Sequence, residues 1–224
     1  MNASLRKNFE NELKELEEKL DLMCDKTINM YSNVIKSLEN NDKELALDTI
    51  KKDHEINELN DEINNEAVII IAKQGPVAID LRTIITIIKI STEVERIADY
   101  TKNISNYVLA FSENQTEELK ILNKSFIKAI EILKSMLAKI MNAYKNDSLE
   151  EAKVVANLDD EIDDIYRKNL ELFIGYIQKT EDKEKINKYL QGILVNKHLE
   201  RAGDHITNIV EEVMYYIKGK RYRL

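Results

Sequence analysis

One proline and five glycines in 224 residues leave the chain little with which to turn. A many-stranded fold needs a turn every few residues, so this scarcity excludes it and leaves long helices. A single cysteine, Cys24, rules out an internal disulfide and suits a reducing compartment. No apolar run approaches the ~20 residues of a membrane-spanning helix, and no charged-then-apolar leader opens the chain. The greasiest stretch, Val77 to Ile90, is broken by Asp80, Arg82 and Lys89. Basic charge is also in deficit, with 33 bases against 41 acids and a formal net charge of −8. That argues against a nucleic-acid groove and suits cations or the basic faces of partner proteins. Glycine-rich phosphate loops, CxxC pairs and nucleophile–base arrangements are missing too, so no catalytic apparatus is expected. The expectation is a soluble, cytoplasmic protein that is not an enzyme.

What the sequence does have is a repeat. ERIADYTKNI at residues 95–104 returns as ERAGDHITNI at residues 200–209, 105 positions on (200 − 95). A recurrence half a chain away marks an internal duplication. Apolar residues at spacings of three and four, Phe9, Leu13, Leu16, Leu20, Met23, Met30 and Val34, predict a first helix over 5–39 with a packed face. Asp42 is placed to cap a second helix over 43–74, and Gly75-Pro76 ends it, with Pro at the first position of a third over 77–110. The polar break at residues 113–116 divides the halves. Thr116 then caps a fourth helix, and Ser148 with Glu151 forms a capping box for a fifth. A sixth over 182–218 ends at Gly219, before the basic tail 220–223. The fold expected is all-α: two tandem three-helix bundles, residues 1–112 and 113–224, of six long antiparallel helices.

Each motif sets a carboxylate at i and another at i+4: Glu95 and Asp99, then Glu200 and Asp204. Like charges on one helix face cost ~0.2–0.5 kcal/mol in isolation, so paying it twice implies a compensating cation. The second helix of each half adds its own polar pair, Asp53/Asn57 and Asp159/Asp163, and Asn103 and Asn208 supply a fifth oxygen in each half. Carboxylate and amide oxygens are hard ligands, fit for Mg, Ca, Mn or iron-type ions. Arg96 and Arg201 offer the competing explanation, neutralising the acids without any metal. An E-x-x-H pattern of the di-iron kind is missing, which disfavours an oxidase. His54 and His205 are candidate ligands or surface groups, and His198 is a structural or an exposed residue. The polar line of α-helical spacing through Asn57, Asn60 and Asn64 is either a solvated shoulder or part of a site.

At these motifs the sequence resembles the PhoU family of bacterial phosphate-signalling proteins. The likeness covers nearly the whole chain: the two repeats, GPVAIDLR at 75–82 against the family's Q-P-x-A-x-D-L-R, ERIAD and ERAGD at 95–99 and 200–204, and the ending EEVMYYIKGK at 211–220. The resemblance implies a cytoplasmic regulator, peripheral to membrane complexes, that represses the phosphate-starvation response. It would link the ATPase of the phosphate ABC transporter to a sensor histidine kinase. It also implies a homodimer and clusters of metal ions, iron or zinc, on Glu95, Asp99, Glu200 and Asp204, with Asp53/Asn57 and Asp159/Asp163 as looser matches. Asn57 and Asn60 stand where many family repeats carry acids, so weaker binding is expected in the first half. A metal store or metalloenzyme on the same carboxylates, and a metal-free bundle, are the alternatives.

Overall fold

The computed structural model describes residues 3–111 and 116–220, with side chains from Arg6 onward. The expected break at 113–115 and most of the basic tail, 221–223, lie outside the described residues. Among the described residues there are six helices: α1 (Ala3–Asn40), α2 (Lys43–Gln74), α3 (Ala78–Phe111), α4 (Glu117–Lys145), α5 (Leu149–Ile177) and α6 (Lys183–Lys218).

Their ends follow the local chemistry. Asp42, Thr116, Ser148 and Asp182 each accept a backbone N–H from the first turn of the helix they open. Gly75 and Gly219 close α2 and α6 in the left-handed conformation, at φ 53° and 68°. Two details differ from expectation. Pro76 lies in the link before α3, whose first residue is Ala78, so Gly75 alone stops α2. The capping box at Ser148 is half closed, because the Glu151 carboxylate accepts from Asn142 Nδ2 at 2.7 Å instead of turning back to the cap.

The apolar face read from α1 is buried as expected except for Leu13, which is half-buried, and Thr27 joins it by donating its hydroxyl to the Met23 carbonyl at 2.9 Å. The stripe on α4, from Leu122 to Tyr144, is buried throughout. On α5 Ile162, Ile165 and Phe173 are buried while Leu172 is exposed. Cys24 is a packed thiol, and burial pushes its pKa up.

Within each half the three helices pack on one another, and the halves join through α1 against α4 and α3 against α6. α2 touches only α1 and α3, and α5 only α4 and α6. The result is a central group of four helices with α2 and α5 as flanks, sharing one continuous core. The duplicated core has been repacked. Gly192 lies where a Cβ would sit 2.5 Å from the ring of Phe173, which fills the space. The corresponding first-half positions, 105 and 106 residues earlier (192 − 87 and 173 − 67), hold Ile87 and Ala67, both fully buried. Bulk has moved from the third helix to the second within the repeat.

Candidate functional site

In the first half, α2 and α3 bring Asp53, Glu95 and Asp99 together. Asp53 is 5% exposed, and its Oδ2 accepts from Lys102 Nζ at 3.0 Å. The same ammonium lies 3.5 Å from Asp99 Oδ1. Asp53 Oδ1 is buried with no partner. Glu95 is half-buried on the apolar side, as its place on the wheel requires. Burial, then Asp99 and Asp53, push its pKa up, with Arg96 opposing. Asn57 is half-buried beside this group. The rest of the polar line ties helices together: Asn60 Oδ1 accepts from Ser91 Oγ at 2.9 Å and from Asn64 Nδ2 at 3.0 Å.

The second half assembles the same elements with a different charge balance. Asp159 on α5 faces Asp204 on α6. Burial, followed by Asp163 and Asp204, pushes the Asp159 pKa up to about 6. The Thr207 hydroxyl opposes part of that shift, although it makes no bond of proper geometry. Asp204 is pushed up by burial and then by Glu200. The local lysine, Lys197, is taken by Glu200, whose two carboxylate oxygens each accept from its Nζ at 2.6 Å. Gly203 leaves room for the Asp159 carboxylate, since a Cβ there would stand 2.6 Å from Asp159 Oδ1. The first half has Ala98 at this position.

Four expected site residues lie elsewhere. Asn103 Nδ2 donates to the Asp99 carbonyl of its own helix, and Asn208 Nδ2 donates to Glu93 Oε2 at 3.1 Å. Eight residues along a helix rotate a side chain by ~80°, which carries both amides off the carboxylate face. The arginines are not the direct counter-ions either. Arg96 is exposed and pairs with Glu93 at 3.8 Å, and Arg201 is exposed and reaches toward Tyr100. Lysines take that part because Lys102 and Lys197 lie three residues from a motif acid, on the same face.

The seam between α3 and α6 is a site that sequence reasoning missed. His205 Nδ1 lies 2.6 Å from Glu93 Oε2, and its Nε2 lies 3.2 Å from the Tyr100 hydroxyl. Tyr100 also packs on His198, ring centres 5.3 Å apart. Positions 93 and 198 correspond under the repeat, as do 100 and 205, so each half sends the same two positions to its counterpart. His54 is exposed and pairs with Glu58 at 3.2 Å, well away from the seam.

The PhoU domain family model matches twice, at residues 20–108 and 126–213. The chain belongs to the PhoU family. The phosphate-specific transport system accessory protein PhoU homolog of Clostridium acetobutylicum is 33% identical over 220 residues, covering 98% of both chains. The Escherichia coli K12 PhoU is 28% identical over 223 residues, covering 100% of this chain and 90% of that protein. The crystal structure of the phosphate transport system regulatory protein PhoU from Streptococcus pneumoniae superposes with a TM-score of 0.87 at 30% identity, covering 96% of this chain and all of that one. PhoU from Pseudomonas aeruginosa gives 0.87 at 27% identity, covering 95% and 100%.

Within this PhoU fold the donor set is all oxygen, which fits a hard or borderline cation. Among the described residues no three His, Cys, Asp or Glu side chains stand where they would hold one metal ion as they are. The carboxylates are gathered on facing helices without converging on a point. The second half is the better chemical fit, because no lysine acts on Asp159, and Lys197, which acts on Asp204, is hydrogen-bonded to Glu200. In the first half Lys102 already stands between Asp53 and Asp99.

Proposed function

We propose that this PhoU-family protein is a regulator of phosphate transport that acts by protein contact and carries out no reaction of its own. It works in the cytoplasm, as a homodimer, against the ATPase of a phosphate ABC transporter and a sensor histidine kinase, and represses the starvation response when phosphate is plentiful. No helix among the described residues is long and apolar enough to cross a membrane, which suits a protein that docks on membrane complexes.

Metal binding, by iron or zinc with manganese, magnesium or calcium as the harder alternatives, belongs to the same proposal. Asp159, Asp163, Glu200 and Asp204 would hold it in the second half, and Asp53, Glu95 and Asp99, with Asn57, in the first. A bound cation supplies the positive charge that crowded carboxylates lack. The observation that carries this reading is the gathering of Asp159 and Asp163 on α5 against Asp204 on α6, with the Asp159 carboxylate packed over Gly203; burial and the two neighbouring acids push its pKa up to about 6. Asp159 is half-buried and Asp163 and Asp204 are exposed, which leaves the cluster open to a cation from solvent.

Elemental analysis of untagged protein tests the metal part. Stoichiometric metal that falls in the Asp204→Ala variant, together with loss of repression from a phosphate-starvation reporter, is the expected result. A reporter still repressed by a protein without metal would leave the adaptor role standing and remove the cation from it. A second reading, a metal-free first half, is favoured by Lys102, which supplies there the charge a metal would bring.

A further inference from the structure

Two recesses outside the motifs are images of each other under the internal duplication. One lies between the end of α1 and the start of α4, with Leu38, Asn41, Lys120, Asn123 and Ile127 among its walls. The other, of about 400 Å³, lies between the first part of α1, the end of α4 and α6, and is walled by Glu17, Asp21, Tyr144, Lys145, Asp147 and Tyr216. The turn residues Asn41 and Asp147, both left-handed at φ 54° and 51°, fix the correspondence at 106 positions (147 − 41). Under it Asn123 answers to Glu17, Ile127 to Asp21 and Asn41 to Asp147. The fold therefore builds this recess without any of the three carboxylates, and they belong to one copy only.

The acids of the second recess are not all answered. Lys145 Nζ pairs with Asp21 at 2.9 Å, and Lys14 with Glu18 at 3.3 Å. Among the described residues Glu17 has no ion pair, and Asp147 has only the Tyr216 hydroxyl beside it. Glu17 is pushed up in pKa by burial and by Asp21. A separate observation points to something missing. Tyr144 is 6% exposed, and its hydroxyl is buried without a hydrogen-bond partner. The groups acting on that hydroxyl are Glu17, Tyr216, Asp21 and Asp147, all of them walls of the recess. The Tyr216 ring lies 5.2 Å from that of Tyr144. In the other recess the position of Tyr144 is held by Leu38 (144 − 106), so no hydroxyl there needs a partner.

We propose that the recess between α1, α4 and α6 binds an organic cation, an alkylammonium or guanidinium group, between the Glu17 and Asp147 carboxylates and against the Tyr144 and Tyr216 rings. Carboxylates spread around a space suit a cation that is itself extended, and phenol rings attract it further through their π faces. A bare metal ion suits it less, since no three of these acids converge. The same chemistry has two sources: a free polyamine, or a lysine or arginine side chain presented by another protein.

Calorimetric titration of the full-length protein distinguishes them, with spermidine in one arm and blocked single-lysine and single-arginine peptides in the other. Saturable one-to-one binding is expected in at least one arm, weakened about tenfold by Glu17→Gln or Asp147→Asn as a lost charge partner would be. Tyr144→Phe should weaken it about threefold, and Asp159→Asn, in the distant motif, not at all. Binding in the spermidine arm alone assigns a small polyamine, and binding in a peptide arm assigns a partner's basic side chain. No saturable binding in either arm overturns the proposal. So does binding that ignores Glu17→Gln and Asp147→Asn, or that follows Asp159→Asn. Glu17→Gln keeps the side-chain shape at a half-buried position, so a folded variant is available for the test.

Discussion

The two halves of this protein carry the same motif and neutralise it differently. In the first, Lys102 reaches across from α3 to Asp53 on α2, and Glu95 is left crowded. In the second, the position equivalent to Lys102 is Thr207, and the half's own lysine, Lys197, sits before the motif and is absorbed by Glu200. One lysine moved from one side of the motif to the other changes which acid is answered. A duplicated carboxylate pattern thus does not imply duplicated chemistry: the nearest cation decides what the site still needs.

The core offers the sharpest way to test that the halves are alternative solutions to one packing problem. Gly192→Ala would press a Cβ into the Phe173 ring and should cost about 2–3 kcal/mol in denaturant unfolding, since overpacking exceeds the gain in helix propensity. The double variant Gly192→Ile, Phe173→Ala installs the first-half arrangement and should recover most of that loss. If it unfolds further than either single change, the halves are not equivalent in packing.

Charge exchange comes next in size. Lys102→Met leaves Asp53 buried without its cation and should cost about 1–2 kcal/mol, less than for a fully buried pair because Lys102 is itself 41% exposed. The reciprocal change, Thr207→Lys, offers Asp159 an ammonium. It should lower the metal content of the second half, read by elemental analysis, and bring the Asp159 titration back toward the ordinary carboxylate range in carbon-detected NMR. Unaltered titration would show that Lys102 and Thr207 are not equivalent in reach.

The pH dependence separates the halves more gently. Asp159 holds its proton to about pH 6 in the folded chain against an ordinary 3.8, so the folded form binds more protons in between. Stability of the metal-free protein should therefore fall as pH rises through that window, and Asp159→Asn should flatten this part of the curve. Thermal midpoints measured between pH 4 and 7 check it, and added divalent cation should restore the lost stability at the upper end. A flat profile in the unmodified protein would contradict the crowding of Asp159.

The smallest effect is expected at Gly203→Ala, which copies Ala98 of the first half. The new methyl meets only the movable end of Asp159, so stability should change by less than about 1 kcal/mol while the carboxylate is displaced. Reduced metal content with an unchanged unfolding midpoint is the outcome to look for.

Much of the site was legible because it lies along single helices. Glu95, Asp99, Glu200 and Asp204 were placed by i, i+4 spacing, and their nearness to Asp53 and Asp159 by the hairpin of neighbouring helices. Asn103 and Asn208 were misplaced because eight residues of helix turn a side chain too far to share the face. Lys102 and Thr207 were visible as a mismatch between the repeat copies, a signal that motif matching passes over because it attends to what is shared.

Period and punctuation in the sequence determined six helices and their caps at Asp42, Thr116, Ser148, Gly75 and Gly219, since each depends on residues within a few positions of one another, and the recurrence of one motif 105 positions on determined the duplication. Only the tertiary structure decided which cation answers which carboxylate, that Tyr100 meets His205 across the halves, and that Phe173 occupies the space left by Gly192. Those outcomes depend on distances between helices far apart in the chain, and these are set by how whole faces pack.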